Sequence, residues 1–304
     1  MNEGKQDPTA LYRIGIDVGG TKIEGIVLDA GGQECERLRS ATPVQEGYEP
    51  VVESIARLYE SLAERVGQGK HTLGIGTPGS ISPATQLLRN CNATGLNGRP
   101  LYRDLEARIG RPFAMANDAN CFALAESRMG AAAQSQEVLG IVLGTGVGAG
   151  LVVHGRLVEG RNGIAGEWGH MVLDSQGPAC YCGRRGCVER YLSGPALEQA
   201  YRQATGTDMD AARIVDRARA GEGAAAAVFD RFLDRFAEAL ANVVAVLDPQ
   251  AIVIGGGLAS IDELYTEGVR RLLERVFCDA YTTPVLRNRL GNAAGVFGAA
   301  MVGI

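Results

Sequence analysis

The chain has 304 residues, 46% apolar and 21% charged, which is enough to bury a core and too apolar for a disordered or collagen-like chain. Thirty Lys and Arg against thirty-five Asp and Glu leave a net charge of -5 with no basic cluster, so nucleic acid is not an expected partner. Glycine, at 42 residues without a three-residue period, is in excess and belongs to tight turns and ligand loops.

Residues 1–11 carry no apolar h-region, and no run of about 18 apolar residues follows, so a cytoplasmic protein without membrane contact is expected. Residues 13–28 place two β-rich runs around Gly19-Gly20-Thr21-Lys22, too short a gap for a crossover helix, which predicts a β-hairpin. An apolar stripe predicts a helix over 48–66, and buried strands are expected at 72–76 and 112–116. A helix is predicted at 119–129, and 139–153 then repeats the first hairpin at a shift of 125 residues, suggesting two lobes of related topology with a nucleotide between them. Helices at 195–204, 224–247 and 261–276 and a strand at 251–254 complete an α/β pattern. The expected division is residues 1–118, completed by a C-terminal helix at 290–304, and residues 119–289.

Asp17-Val18-Gly19-Gly20-Thr21-Lys22 ends a strand in a carboxylate and then offers amides that no Cβ obstructs, as a phosphate with Mg²⁺ requires; an ordinary hairpin turn is the alternative. Gly144-Thr145-Gly146 is its counterpart in the second hairpin, and two such loops could clamp one triphosphate. Gly74-Ile75-Gly76-Thr77-Pro78-Gly79 has the spacing of a dinucleotide fingerprint, but Pro78 and Pro83 prevent the helix that must open there. A strand ending in a pocket-lining loop is expected instead. Gly255-Gly256-Gly257 follows a strand and either beds an adenosine or packs a helix closely.

Asp118, between a strand and a helix, suits the carboxylate that accepts a hydroxyl proton in phosphoryl transfer, or else caps the helix. His170, Cys180, Cys182 and Cys187 in a glycine-rich loop can close a tetrahedral Zn²⁺ site with no open position, the alternative being buried thiols beside an unrelated histidine. His71 and His154 are expected at the surface.

Together with Asn117-Asp118-Ala119-Asn120, Glu167-Trp168-Gly169-His170 and Glu189, these motifs resemble the ROK family of bacterial sugar kinases and repressors from about Tyr12 to the C-terminus. The resemblance implies a two-lobed, actin-like (RNase H-like) fold with the ligand cleft between the lobes, ATP with Mg²⁺, a structural Zn²⁺ in the loop 170–187, and a homodimer. With the first strand expected about a dozen residues in, the helix-turn-helix of the repressors is not expected. By the same resemblance Asp118 is the general base, Gly79, Asn117, Glu167, His170 and Glu189 contact the sugar, and Asp17, Gly19–Lys22, Gly144–Gly146 and Gly255–Gly257 serve ATP and Mg²⁺. His170 can serve twice, one ring nitrogen on zinc and the other on a sugar hydroxyl.

The expected activity is ATP-dependent phosphorylation of a hexose. Loops 78–83 and 90–98 resemble the fructokinase and mannokinase branch, so D-fructose at its 6-hydroxyl is the expected acceptor, with mannose or glucose weaker. Glu167-Trp168-Gly169-His170-Met171 also resembles the N-acetylglucosamine kinases, the alternative substrate class. A non-catalytic sugar sensor would not need Asp17 and Asp118, and an actin-like polymer or chaperone would not need the Glu167, His170 and Glu189 cluster.

Overall fold

The computed structural model describes residues 11–67, 69–91 and 94–303. The opening segment 1–10, read above for targeting signals, and Asn92 and Ala93 of the expected sugar-side loop 90–98 lie outside the described residues.

Strand β1 (Leu11–Val18) buries Ile14, Ile16 and Val18 on one face, and turns into the antiparallel β2 (Lys22–Leu28), to which the edge strand β3 (Glu34–Ala41) is added. Helix α1 (Tyr48–Val66) sets Val51, Ile55 and Leu62 into the same core. Its apolar stripe has the helical period, so the sequence places it to the residue. Next come β4 (Lys70–Thr77), a two-residue hairpin of β5 (Ser80–Ile81) and β6 (Leu88–Arg89), α2 (Leu101–Ile109), β7 (Ala114–Asn117) and α3 (Asp118–Arg128). The first sheet runs β3-β2-β1-β4-β7, with β1, β4 and β7 parallel.

The second sheet repeats this plan. Strands β8 (Val138–Leu143) and β9 (Val147–Val153) form a hairpin with β10 (Arg156–Leu157) at its edge, and helices α4 (Glu189–Leu192), α5 (Gly194–Thr205), α6 (Ala211–Arg219) and α7 (Gly223–Leu247) follow. Then come β11 (Ala251–Gly255), α8 (Glu267–Leu273), β12 (Val285–Arg287) and α9 (Ala294–Val302). The order is β10-β9-β8-β11-β12, with β11 parallel to β8 and to β12. A shift of 125 residues lays β2 on β9 end to end and the three-residue turn Gly19–Thr21 on Gly144–Gly146. The pairing register of the two hairpins differs by one residue.

Two compact units result. Of the described residues, unit 1 comprises those up to Ala125, Leu157–Ala165 and those from Asn292; unit 2 comprises Glu126–Arg156 and Gly166–Gly291. Most of α3 stays with unit 1 because Cys121 packs with Ala116 and Ala299. A Cβ at Gly298 would fall 1.9 Å from the Cys121 carbonyl oxygen, and one at Gly74 the same distance from that of Ala299. Helix α9 therefore lies directly on the backbone of α3 and β4, which only glycine permits. In unit 2, Leu139, Ile141, Phe232, Phe236 and Leu240 build the core between sheet and α7.

Three expectations need correction. The helix predicted over 261–276 is a 3₁₀ turn at Asp262–Leu264 followed by the short α8, because Thr266 leaves helical geometry (φ -114°, ψ -85°). Another 3₁₀ turn, Gly257–Ser260, stands where a helix was expected after the glycines. His71 is half-buried between Tyr59 and Arg111 rather than on the surface. Among the described residues no helix is long and apolar enough to cross a membrane.

Candidate functional site

In unit 1 the carboxyl ends of the parallel strands bring Asp17, Thr77 and Asn117 to one edge of the sheet, where open α/β sheets bind ligands. Past Asp17 the turn is closed by Gly19 N–H donating to the Lys22 carbonyl (2.9 Å) and by the Thr42 hydroxyl donating to the Gly19 carbonyl (2.7 Å). Nothing lies within 4 Å of where a Gly20 Cβ would stand, and Gly20, Thr21 and Lys22 are exposed, so this backbone is open to a ligand.

The carboxylate of Asp17 lies between two glycines: a Cβ at Gly295 would be 2.7 Å from Oδ2 and one at Gly76 3.3 Å from Oδ1. Burial first, then the charges of Asp118 and Glu24, push its pKa up to about 6, while Lys22 pulls the other way. Two neighbouring hard-oxygen donors whose charges repel are a donor set that suits Mg²⁺. Glu24 is the reverse case. Burial opposes its ionisation, but Lys22 (2.7 Å), Arg39 (2.8 Å) and Arg37 (2.5 Å) hold its carboxyl at about 2. Lys22, expected on phosphate, is thus an ion-pair partner of Glu24.

Asp118 opens α3. The side chain of Asn117 accepts from Asn120 N–H (2.7 Å) and so caps the helix, whereas Asp118 Oδ1 accepts from its neighbour Ala119 (2.8 Å). The capping alternative therefore falls to Asn117, and the carboxylate stands in the first turn, where helix amides favour an anion. Gly79 closes β4: the Thr77 hydroxyl donates to its carbonyl (2.9 Å), and a Cβ there would meet the Arg89 carbonyl at 2.5 Å. No helix follows Gly79, in keeping with a loop and not with a dinucleotide site.

In unit 2 the turn Gly144–Gly146 and the glycines Gly255–Gly257 end the adjacent parallel strands β8 and β11. Gly256, at φ +85°, lies against the Leu143 carbonyl, where a Cβ would be 2.3 Å away. This turn already has an anionic neighbour, since Glu189 Oε2 accepts from Val147 N–H at 3.0 Å. Glu167 and His170 share one 3₁₀ turn. The turn is seated by Gly166 at φ +88° against the Ala149 carbonyl and anchored by the Trp168 indole donating to Ala239 (3.2 Å).

His170, Cys180, Cys182 and Cys187 offer four donor atoms within 4.8 Å of one another, with Nδ1 of His170 3.6 Å from Cys180 Sγ and the Cys182 and Cys187 sulfurs 3.6 Å apart. Zinc bonds of about 2.3 Å in a tetrahedron put sulfurs about 3.8 Å apart, so the donors fit Zn²⁺. Burial works against ionisation of Cys182, but the Arg184 amide and guanidinium bring its thiol down to about 6. All seven cysteines are unbridged. The other nitrogen of His170, Nε2, lies 3.0 Å from the hydroxyl of Tyr181, a partner with no signal in the sequence. Glu24 was also missed; its signal was its place two residues beyond Lys22, on the same face of a strand.

The chain matches the model of the ROK family over residues 13–303. It is 38% identical over 299 residues to an N-acetyl-D-glucosamine kinase of Pasteurella multocida, covering 95% of this chain and 98% of that one. Among solved structures it is similar to the ROK hexokinase from Thermus thermophilus, with 34% identity, a TM-score of 0.86, and 96% and 97% of the two chains covered. It is also similar to a ROK family glucokinase from Streptomyces griseus in complex with glucose and AMPPNP, at 31% identity, TM-score 0.75, and 96% and 99% coverage. The fold is the two-lobed, actin-like ATPase fold of these neighbours, and the chain belongs to the ROK family.

Proposed function

We propose that the protein transfers the terminal phosphoryl group of ATP to a hydroxyl of N-acetylglucosamine. The observation that carries this reading is the full-length similarity to an N-acetyl-D-glucosamine kinase, joined to Glu167-Trp168-Gly169-His170 on one turn. That similarity moves the acceptor away from D-fructose, which the loops 78–83 and 90–98 had suggested.

In this reading Asp118 accepts the proton of the attacking hydroxyl, a step typically worth about 10²- to 10⁴-fold. Asn117, Glu167, His170, Glu189 and the amide of Gly79 orient the sugar, and the turns Gly19–Lys22 and Gly144–Gly146 with Gly255–Gly257 hold the nucleotide. Asp17 would hold Mg²⁺, which would neutralise charge on the phosphates. His170 and the thiolates of Cys180, Cys182 and Cys187 would hold Zn²⁺, which would fix the loop that presents His170. A cytoplasmic homodimer is the assembly that the family resemblance supports.

The deciding measurement is kcat/KM for N-acetylglucosamine, fructose, mannose and glucose with Mg-ATP. N-acetylglucosamine is expected to lead by tenfold or more, about 1.4 kcal/mol of transition-state discrimination. Fructose leading by that margin restores the fructokinase reading, and no turnover with any sugar favours the sensor.

A further inference from the structure

The segment Leu157–Ala165 leaves β9 and β10 and returns to Glu167, yet it folds with unit 1. Two attachments hold it there. Leu157 packs against Ala116, Cys121 and Ala299. Further along, the guanidinium of Arg89 donates to the main-chain carbonyls of Asn162 (2.8 Å) and Gly163 (3.3 Å). Gly163, at φ +60°, lies over the β5–β6 hairpin, where its Cβ would be 3.6 Å from the Ile81 carbonyl and from Pro83. Around these attachments the strap is exposed, with Arg161, Asn162 and Ile164 open to solvent. Arg89 is therefore the charged group that fastens an otherwise exposed stretch of chain. Its Nε is buried without an acceptor among the described residues, while its Nη2 serves the strap.

Both ends of this clamp continue into residues assigned to the sugar. Arg89 pairs across the hairpin with Ser80, next to Gly79, and Gly163 precedes Glu167 by four residues. We propose that Arg89 is a positioning residue for the sugar, which fixes the strap Leu157–Ala165 on the β5–β6 hairpin beside Gly79. One guanidinium nitrogen, Nη2, reaches both carbonyls; a lysine ammonium also carries several donors but lacks the planar group that fixes their direction, and a glutamine is too short to reach either.

The inference rests on the sugar-kinase reading for its kinetic arm, and a second arm is independent of it. For Arg89→Gln, sugar KM is expected to rise about tenfold or more while ATP KM stays within about twofold, and Arg89→Lys should fall between wild type and Gln. In parallel, limited trypsin digestion followed by mass spectrometry reports cleavage at the Arg161–Asn162 bond. Cleavage there should be several-fold faster in Arg89→Gln than in wild type, with Lys again intermediate. Unchanged sugar KM, or sugar and ATP KM rising together, overturns the positioning role. If wild type phosphorylates no sugar, the kinase reading fails, and the digestion alone decides: equal cleavage in the three proteins overturns the clamp.

Discussion

Asp17 and Glu24 are cross-strand partners in the β1–β2 hairpin and titrate in opposite directions. Three cations hold Glu24 ionised down to about 2, while burial, Asp118 and Glu24 itself push Asp17 to about 6. The protein thus spends its local cations on the carboxylate outside the expected phosphate turn and leaves the one at the turn in need of a cation. That arrangement suits a residue meant to meet Mg²⁺.

Asp17→Asn should stabilise the metal-free protein at neutral pH and abolish ATP use. A carboxyl raised from 3.8 to about 6 contributes stability that is complete below about 3.8 and lost as pH rises through 6. A rise of this size corresponds to about 3 kcal/mol, so the amide variant should gain on that order at pH 8 and about half as much at pH 5. Thermal melts without Mg²⁺ at the two pH values check this; a variant no more stable at pH 8 refutes it.

Asp118→Asn is expected to lower kcat by about 10² or more with little change in sugar affinity. The helix should survive, because Asn117 provides the cap. Steady-state kinetics beside a melting curve separates the two effects. Wild-type turnover in the variant removes Asp118 from the reaction.

One zinc per chain is expected on His170, Cys180, Cys182 and Cys187. Because the ligands come from a loop with little core of its own, chelation or Cys182→Ser should lower both thermal stability and sugar affinity. Elemental analysis of the purified protein gives the stoichiometry, and a value near zero ends this assignment.

His71 should make the protein acid-sensitive. Burial and then the charge of Arg111 lower its pKa below 6.5; the Gly69 carbonyl opposes this, and Tyr59 is its other neighbour. Since the folded state resists taking up the proton, stability present above 6.5 is lost as pH falls below it. His71→Gln should show a smaller drop in melting temperature between pH 7.5 and pH 5.5 than wild type. Equal drops count against it.

Periodicity and turn chemistry determined much of this protein from the sequence alone. The stripe of α1 and the glycine turns at Gly19–Lys22 and Gly144–Gly146 are local patterns with local causes, as is the run of ligand types from His170 to Cys187. Elements whose stability comes from partners were not legible. Strand β3, at Glu34–Ala41, is charged and was not among the expected elements; it is held to β2, where Glu24 binds Arg37 and Arg39. That α3 stays with unit 1 as far as Ala125 depends on Cys121 packing against Ala299, 178 residues away in sequence. Which of Asn117 and Asp118 caps α3, which nitrogen of His170 faces Tyr181, and which carbonyls Arg89 holds were likewise decided by tertiary structure. A sequence states which groups are present; their hydrogen bonds and charges depend on neighbours that only the folded chain brings within reach.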